Sequence, residues 1–180
     1  MGKQGIYVRP TRADAQRLAS LCASENARRA RRHRLYPLRP ASLTALLRTV
    51  TRLGLSELEG MAEKMALAGA AHDLEADVKA ELRDGKPGSG KRPGFYVRFE
   101  PRDVERLKRL REIENANRRA DPIGTLPDLS MAGLVSIVVR VGIPLVEASM
   151  QRSDLWEAKE AERLALAAQD GQAAQGKVAH

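Results

Sequence analysis

The sequence predicts a mainly α protein with one two-stranded antiparallel β ribbon. The ribbon comes from a duplicated β-α-α(-α) unit whose copies pair within one chain as an intramolecular pseudodimer. Three observations carry this expectation. A short amphipathic stretch occurs twice, as Gly5-Ile6-Tyr7-Val8-Arg9-Pro10 and as Gly94-Phe95-Tyr96-Val97-Arg98-Phe99. Each copy is followed by two stretches of helical periodicity. The copies also register at a constant shift of 89 positions, with Gly5, Tyr7, Val8, Arg9, Asp14, Arg17, Leu18, Leu21, Glu25, Asn26, Ala27 and Arg29 all matching their counterparts. After one residue is dropped in the loop, Ser42, Leu46, Arg52, Gly54 and Glu59 match Ser130, Leu134, Arg140, Gly142 and Glu147. Matches that fall together on strand, core and cap positions are the mark of an internal repeat.

In the strands, alternate residues face opposite sides. Ile6, Val8 and Pro10 therefore form one face and Tyr7, Arg9 and Thr11 the other; Phe95, Val97 and Phe99 alternate in the same way with Tyr96, Arg98 and Glu100. A lone strand cannot satisfy its own backbone groups, and the simplest partner for each copy is the other. The pair would carry two tyrosines and two arginines on its outer face.

Thr11 to Asp14 reads as a helix start, followed by Leu18, Leu21 and Cys22 at helical spacing and arginine-rich sequence to Arg34. The prolines between Tyr36 and Ala41 end that helix. Ser42 is an N-cap, its hydroxyl accepting an otherwise unpaired N–H of the first turn. Leu43, Leu46, Leu47, Val50 and Leu53 make one apolar stripe, and Gly54 is read as its terminator. Ser56-Glu57-Leu58-Glu59 has a capping-box pattern and opens a third helix to about Arg83, with Leu67, Ala71, Leu74, Val78 and Leu82 on its apolar side. The Gly/Pro/Lys-rich run to Pro93 is a flexible linker. In the second copy, Pro101 stands in a helix first turn, with Val104, Leu107, Leu110 and Ile113 on the stripe. After a loop from Pro122 to Leu129, Ser130 caps a helix striped by Met131, Leu134, Val135, Val138 and Val141 and ended by Gly142. A polar helix runs from Pro144 to about Ala168. The expected organisation is a first repeat over residues 1–55, a connecting helix over 56–84, a linker over 85–93, a second repeat over 94–143, a C-terminal helix over 144–168 and a disordered tail over 169–180.

The charge is uneven as well as strong. The net charge is +8 and the pI about 10.1. Met1 to Leu55 holds 12 Lys/Arg against 2 acids, whereas Ser56 to Asp84 holds 3 against 8. Such asymmetry points to a polyanion-binding face beside ordinary solvated helix. No basic amphipathic helix with a Trp/Phe/Leu face argues for a membrane surface. The N-terminus is polar throughout, without a signal-peptide pattern, and no apolar run reads as long enough to span a bilayer. With one cysteine there is no internal disulfide, and the expected location is the cytoplasm.

Several motifs are better explained without chemistry. Gly85 to Lys91 imitates a phosphate-binding loop, but the next residue is Arg92 where Mg²⁺ binding requires Ser or Thr, and the run leads from a helix into a strand, the reverse of the required context. No nucleotide is expected. Cys22 lies on an apolar stripe and reads as core. His33, His72 and His180 are scattered, and no cluster has metal-ligand spacing. Trp156 reads as a packing residue or an anchor for another chain. Arg28, Arg29, Arg31, Arg32 and Arg34 read either as phosphate grips or as a solvated helix end. No residues support an enzyme, and no cofactor is expected.

A strand followed by two helices, needing a second copy to complete its sheet, resembles the ribbon-helix-helix family, the class of the Arc and MetJ repressors. The resemblance covers roughly Lys3 to Leu55 and Arg92 to Ile143. Both strands on one chain are similar to the tandem arrangement of TraY-type proteins of conjugative plasmids. The resemblance implies that outward strand positions read bases in the DNA major groove: Lys3, Gly5, Tyr7 and Arg9 from one strand, Arg92, Gly94, Tyr96 and Arg98 from the other. It implies that the caps of the second helices, Ser42 and Ser130, aim backbone N–H groups at phosphates; Thr44 and, from the basic stretch, Arg29, Arg31 and Arg32 are the further expected phosphate contacts. The residue chemistry agrees. A two-stranded ribbon fits the major groove, arginine binds guanine O6 and N7 bidentately, and a tyrosine offers a hydroxyl to a phosphate or base edge and a ring to a thymine methyl.

The expected function is sequence-specific binding of double-stranded DNA with an imperfect inverted repeat, imperfect because Lys3 and Gln4 on one side face Arg92 and Pro93 on the other. Two roles are compatible: a transcriptional repressor, or an accessory protein in the relaxosome of a conjugative transfer origin, with a relaxase or further copies of the chain as partners. The alternative, from another class, is a protein–protein adaptor acting through the acidic helix and the C-terminal helix.

Overall fold

The computed structural model describes residues 4–8, 10–32, 39–63, 94–120 and 127–178. The order is β1 (Gln4–Val8), α1 (Arg12–Arg32), α2 (Leu43–Glu63), β2 (Phe95–Phe99), α3 (Pro101–Ala120) and α4 (Met131–Val178). Among the described residues the protein is mostly helical with one two-stranded antiparallel sheet. The chain divides into Met1–Val146, which holds the ribbon and the core, and Glu147–His180.

β1 and β2 pair with Gln4 opposite Phe99, Gly5 opposite Arg98, Ile6 opposite Val97, Tyr7 opposite Tyr96 and Val8 opposite Phe95. Ile6, Val8, Val97 and Phe99 are buried and Tyr7, Tyr96 and Arg98 exposed, so the alternation read from the sequence is the ribbon's two-facedness. β2 packs on α2, and Leu18, Leu47, Val50, Leu107, Val135 and Val138 of the helices are buried with the inward face, all at most 2% exposed. Burial of such side chains contributes roughly 1.5–3 kcal/mol each, and here it also sets register, because a slip of one residue would turn Tyr7 and Tyr96 into the core.

The helix starts follow the caps. Thr11 Oγ1 accepts from the Asp14 N–H at 3.1 Å and donates to Asp14 Oδ2 at 2.8 Å. Pro101 opens α3 while the Glu100 carbonyl accepts from the amides of Asp103 and Val104. Ser42 Oγ accepts from the Ala45 N–H at 3.1 Å, and Ser130 Oγ from the Gly133 N–H at 3.0 Å.

The helix ends depart from the expectation. α2 runs through Gly54 and Ser56 to Glu63, so Gly54 is not a terminator and the Ser56–Glu59 pattern does not open a helix. α4 runs through Gly142 and carries Pro144 inside it, continuing past Ala168 to Val178. The two glycines have another physical reason. A Cβ on Gly54 would lie 2.0 Å from the Val138 carbonyl oxygen, and one on Gly142 would lie 2.0 Å from that of Val50. Both sit where α2 and α4 meet at backbone distance, which no larger residue permits. Leu53 and Ile113, read as stripe residues, are 38% exposed. The remainder of the expected connecting helix and the whole linker over 85–93 lie outside the described residues.

Continuity also corrects the expectation that no apolar run is long enough to span a bilayer. Met131–Ala165 is long and apolar enough by length and composition alone. Leu134, Val135, Ile137, Val138, Val139, Ile143 and Val146, which supply much of that character, are buried in the protein core.

Candidate nucleic-acid interface

Of the eight residues expected to face bases, Lys3, Arg9 and Arg92 lie outside the described residues; the other five share one face of the ribbon. Tyr7 and Tyr96 stand opposite each other, 46% and 61% exposed, and Arg98 is exposed opposite Gly5. The glycines serve the tyrosines. A Cβ on Gly5 would fall 1.9 Å from Tyr96 Cζ, and one on Gly94 would fall 1.9 Å from Tyr7 Oη. Each ring therefore lies across the backbone of the other strand, over the one residue type that leaves room for it.

The candidate phosphate contacts divide. Ser42 and Ser130 are exposed caps at the N-termini of α2 and α4, where unsatisfied N–H groups and the helix dipole favour an anion. Thr44 is half-buried in the first turn of α2. Arg31 and Arg32 are exposed at the end of α1. Arg29 is engaged differently: its Nε donates to Glu25 Oε1 at 2.7 Å and its Nη1 to the Arg39 carbonyl at 2.9 Å, bracing the chain that leads into Ser42. At the matching place, Arg118 Nε donates to Glu114 Oε1 at 2.9 Å and Nη1 to the Pro127 carbonyl at 3.0 Å.

Three further sets of side chains hold the caps and helices in place; sequence reasoning gave the asparagines and the cross-fold Asp–Arg pairing no role and took Ser56 and Glu59 for a helix cap. Asn26 clamps the residue before Ser42, its Oδ1 accepting from the Ala41 N–H at 2.6 Å and its Nδ2 donating to the Ala41 carbonyl at 3.2 Å. Asn115 does the same to Leu129, at 2.6 and 3.3 Å. Across the fold, Arg52 Nε donates to buried Asp103 at 2.8 Å and Arg140 Nε to buried Asp14 at 3.3 Å. Finally, Arg106 binds Glu59 and donates to Ser56 Oγ at 2.9 Å, which is what the Ser56–Glu59 pattern is for; the Glu59 carboxylate raises the Arg106 pKa. The available signal for the asparagines and the Asp–Arg pairs was their recurrence at matched positions in both copies.

The ion pair beside the second cap has no counterpart beside the first. Arg119 is bonded through Nε to Asp128 Oδ1 at 3.1 Å and through Nη2 to Asp128 Oδ2, next to the Ser130 cap. This holds the Asp128 carboxyl below the usual range, chiefly through the hydrogen bond from Arg119. At the matched position stands Pro40.

Among the described residues no three His, Cys, Asp or Glu side chains come together as a metal site. Comparison with known proteins returns no match: no family model, curated protein or solved structure is similar to the chain.

Proposed function

We propose that the chain is a sequence-specific double-stranded DNA-binding protein that folds as a single-chain ribbon-helix-helix pseudodimer and inserts its β ribbon into the major groove. The observation that carries the reading is the ribbon itself, apolar and buried on one face, with Tyr7, Tyr96 and Arg98 exposed on the other. The pseudodimer is supported by reciprocity. Tyr7 faces its own counterpart, Tyr96, at the centre of the register, and the Gly–Tyr, Gly–carbonyl, Asn clamp and Asp–Arg contacts each occur in matched pairs. Ser42 and Ser130 would then flank the ribbon as phosphate anchors, which position the protein without reading sequence.

The proposed target is an imperfect inverted repeat, and the protein acts without catalysis or cofactor, in the cytoplasm. A repressor and a relaxosome accessory protein, with a relaxase or further copies of the chain as partners, are the two roles compatible with this reading. Leu155, Trp156 and Leu164, each about three-fifths exposed on α4, favour a second reading as a protein–protein adaptor.

The test is selection of bound duplexes from a random pool, followed by mobility shift on the selected and scrambled sequences across a salt series. Each neutralised phosphate adds roughly −0.9 to the slope of log K against log salt, and engagement of about 4–8 phosphates is expected. A flat salt response with no enriched sequence would favour the adaptor.

A further inference from the structure

We infer that Gly5 and Gly94 are seats that hold the rings of Tyr96 and Tyr7 flat, committing the centre of the ribbon to thymine methyl groups at the centre of the DNA site. This rests on the DNA-binding reading above and specifies what its central residues recognise. The geometry separates two uses of a tyrosine. One that stands out from a strand presents its hydroxyl to a base edge or phosphate. Here the outer end of each ring is turned across the opposite strand: the place a Cβ would take on Gly94 is 1.9 Å from Tyr7 Oη, and on Gly5 it is 2.0 Å from Tyr96 Oη. The hydroxyls therefore lie along the ribbon surface. Tyr7 and Tyr96 are 46% and 61% exposed, and a ring laid across the strand offers its carbon face outward.

Cross-strand diagonal neighbours lie within reach of an aromatic ring, and an aromatic laid over a strand glycine covers backbone that would otherwise be bare. The arrangement occurs twice because Tyr7 and Tyr96 face each other while Gly5 and Gly94 stand two residues before their respective tyrosines. In the major groove the group that a ring carbon surface distinguishes is the thymine C5 methyl; the other base edges present hydrogen-bonding groups. Exposed Arg98, on the same face opposite Gly5, is left to make the hydrogen-bonded contacts further out.

The test uses the full chain and its selected duplex, with each central thymine replaced by deoxyuridine, which removes the methyl and nothing else. Burying one methyl-sized group corresponds to about a fourfold change in affinity, so a loss of roughly fourfold per replaced central thymine is expected. Tyr7→Ala/Tyr96→Ala should bind the thymine and deoxyuridine duplexes alike, while Tyr7→Phe/Tyr96→Phe should keep the wild-type discrimination. Gly5→Ala and Gly94→Ala should each abolish it only at the central thymine met by the displaced ring, Tyr96 or Tyr7, in protein whose circular dichroism is unchanged; if they do not fold, the tyrosine series decides by itself. Selected sites without central thymines, or indifference of the wild type to their methyls, would overturn the inference while leaving sequence-specific DNA binding intact. Loss of discrimination in the Phe variant would also overturn it, by showing that the hydroxyls do the reading. If no sequence is enriched at all, the underlying reading fails and the inference with it.

Discussion

Glu25–Arg29 on α1 and Glu114–Arg118 on α3 are the same device in different surroundings. Each carboxylate holds an arginine four residues later, and each arginine donates to a carbonyl in the segment that leads to a helix cap. The first pair is open, with side chains 37% (Arg29) and 20% (Glu25) exposed; the second is closed, at 3% (Arg118) and 4% (Glu114). Glu25 also holds Arg28 at 3.0 Å, and Arg31 and Arg32 lie exposed beyond it, whereas Arg119 beside the second pair is taken up by Asp128. Bonding is thus retained between the two sides while burial is not. The lesson is that recurrence of a residue pair in sequence reports geometry, and only the surroundings say what the pair is worth.

The largest expected effect comes from that difference. Glu114→Ala takes the carboxylate away from the buried Arg118 guanidinium and should cost about 3 kcal/mol, the lower end of what breaking a buried pair costs. Glu25→Ala removes a partly solvated pair and should cost under about 1 kcal/mol. Equilibrium urea unfolding of the two variants checks this, and equal costs would erase the distinction between the sides.

Next comes the helix crossing. Gly54→Ala and Gly142→Ala should each destabilise by about 1–3 kcal/mol through overpacking, even though alanine is favoured over glycine in a helix by up to ~1 kcal/mol. Because each Cβ would strike a carbonyl oxygen of the other helix at 2.0 Å, similar losses are expected. A gain in urea midpoint for either would show that the backbone contact is not tight.

Asn26→Ala and Asn115→Ala should cost about 1–2 kcal/mol each, two part-buried hydrogen bonds apiece. Faster amide exchange should be confined to Ala41 and Leu129 respectively, read by hydrogen-exchange NMR. Spread of the effect across both caps would mean that the two sides are not independent.

The smallest effect is the one without a counterpart. Asp128 has its pKa lowered in the folded state, so its contribution is present above the unfolded carboxylate pKa, about 4, and disappears as pH falls through the folded value. Asp128→Asn should therefore differ slightly from wild type in thermal stability near neutral pH and converge with it in acid. A difference that grows in acid would carry the wrong sign.

These contrasts also mark what the sequence could tell. Strand alternation in Ile6, Val8, Val97 and Phe99 is legible because a period of two has one structural meaning when one face must be buried. The caps at Thr11, Ser42 and Ser130 are legible because a hydroxyl before an apolar stripe has few other uses. Gly54 and Gly142 were ambiguous: a glycine ends a helix or admits a neighbouring helix, and only the partner's carbonyl decides. Asn26 and Asn115 were hidden because a lone polar residue on a helix looks solvated until the returning chain is in place. The seats at Gly5 and Gly94 were hidden by their position on the outward face, where a glycine looks like any open position.

The central claim, that the outward face of the ribbon reads DNA, is tested most directly by Arg98→Ala on the selected duplex. Because Arg98 points away from Val97 and Phe99, the fold should persist. Binding should weaken by about 1–3 kcal/mol, with relaxed preference at one or two base pairs in a single half-site. A folded Arg98→Ala protein with unchanged affinity and unchanged base preference would contradict the account and turn attention to the basic end of α1, at Arg31 and Arg32.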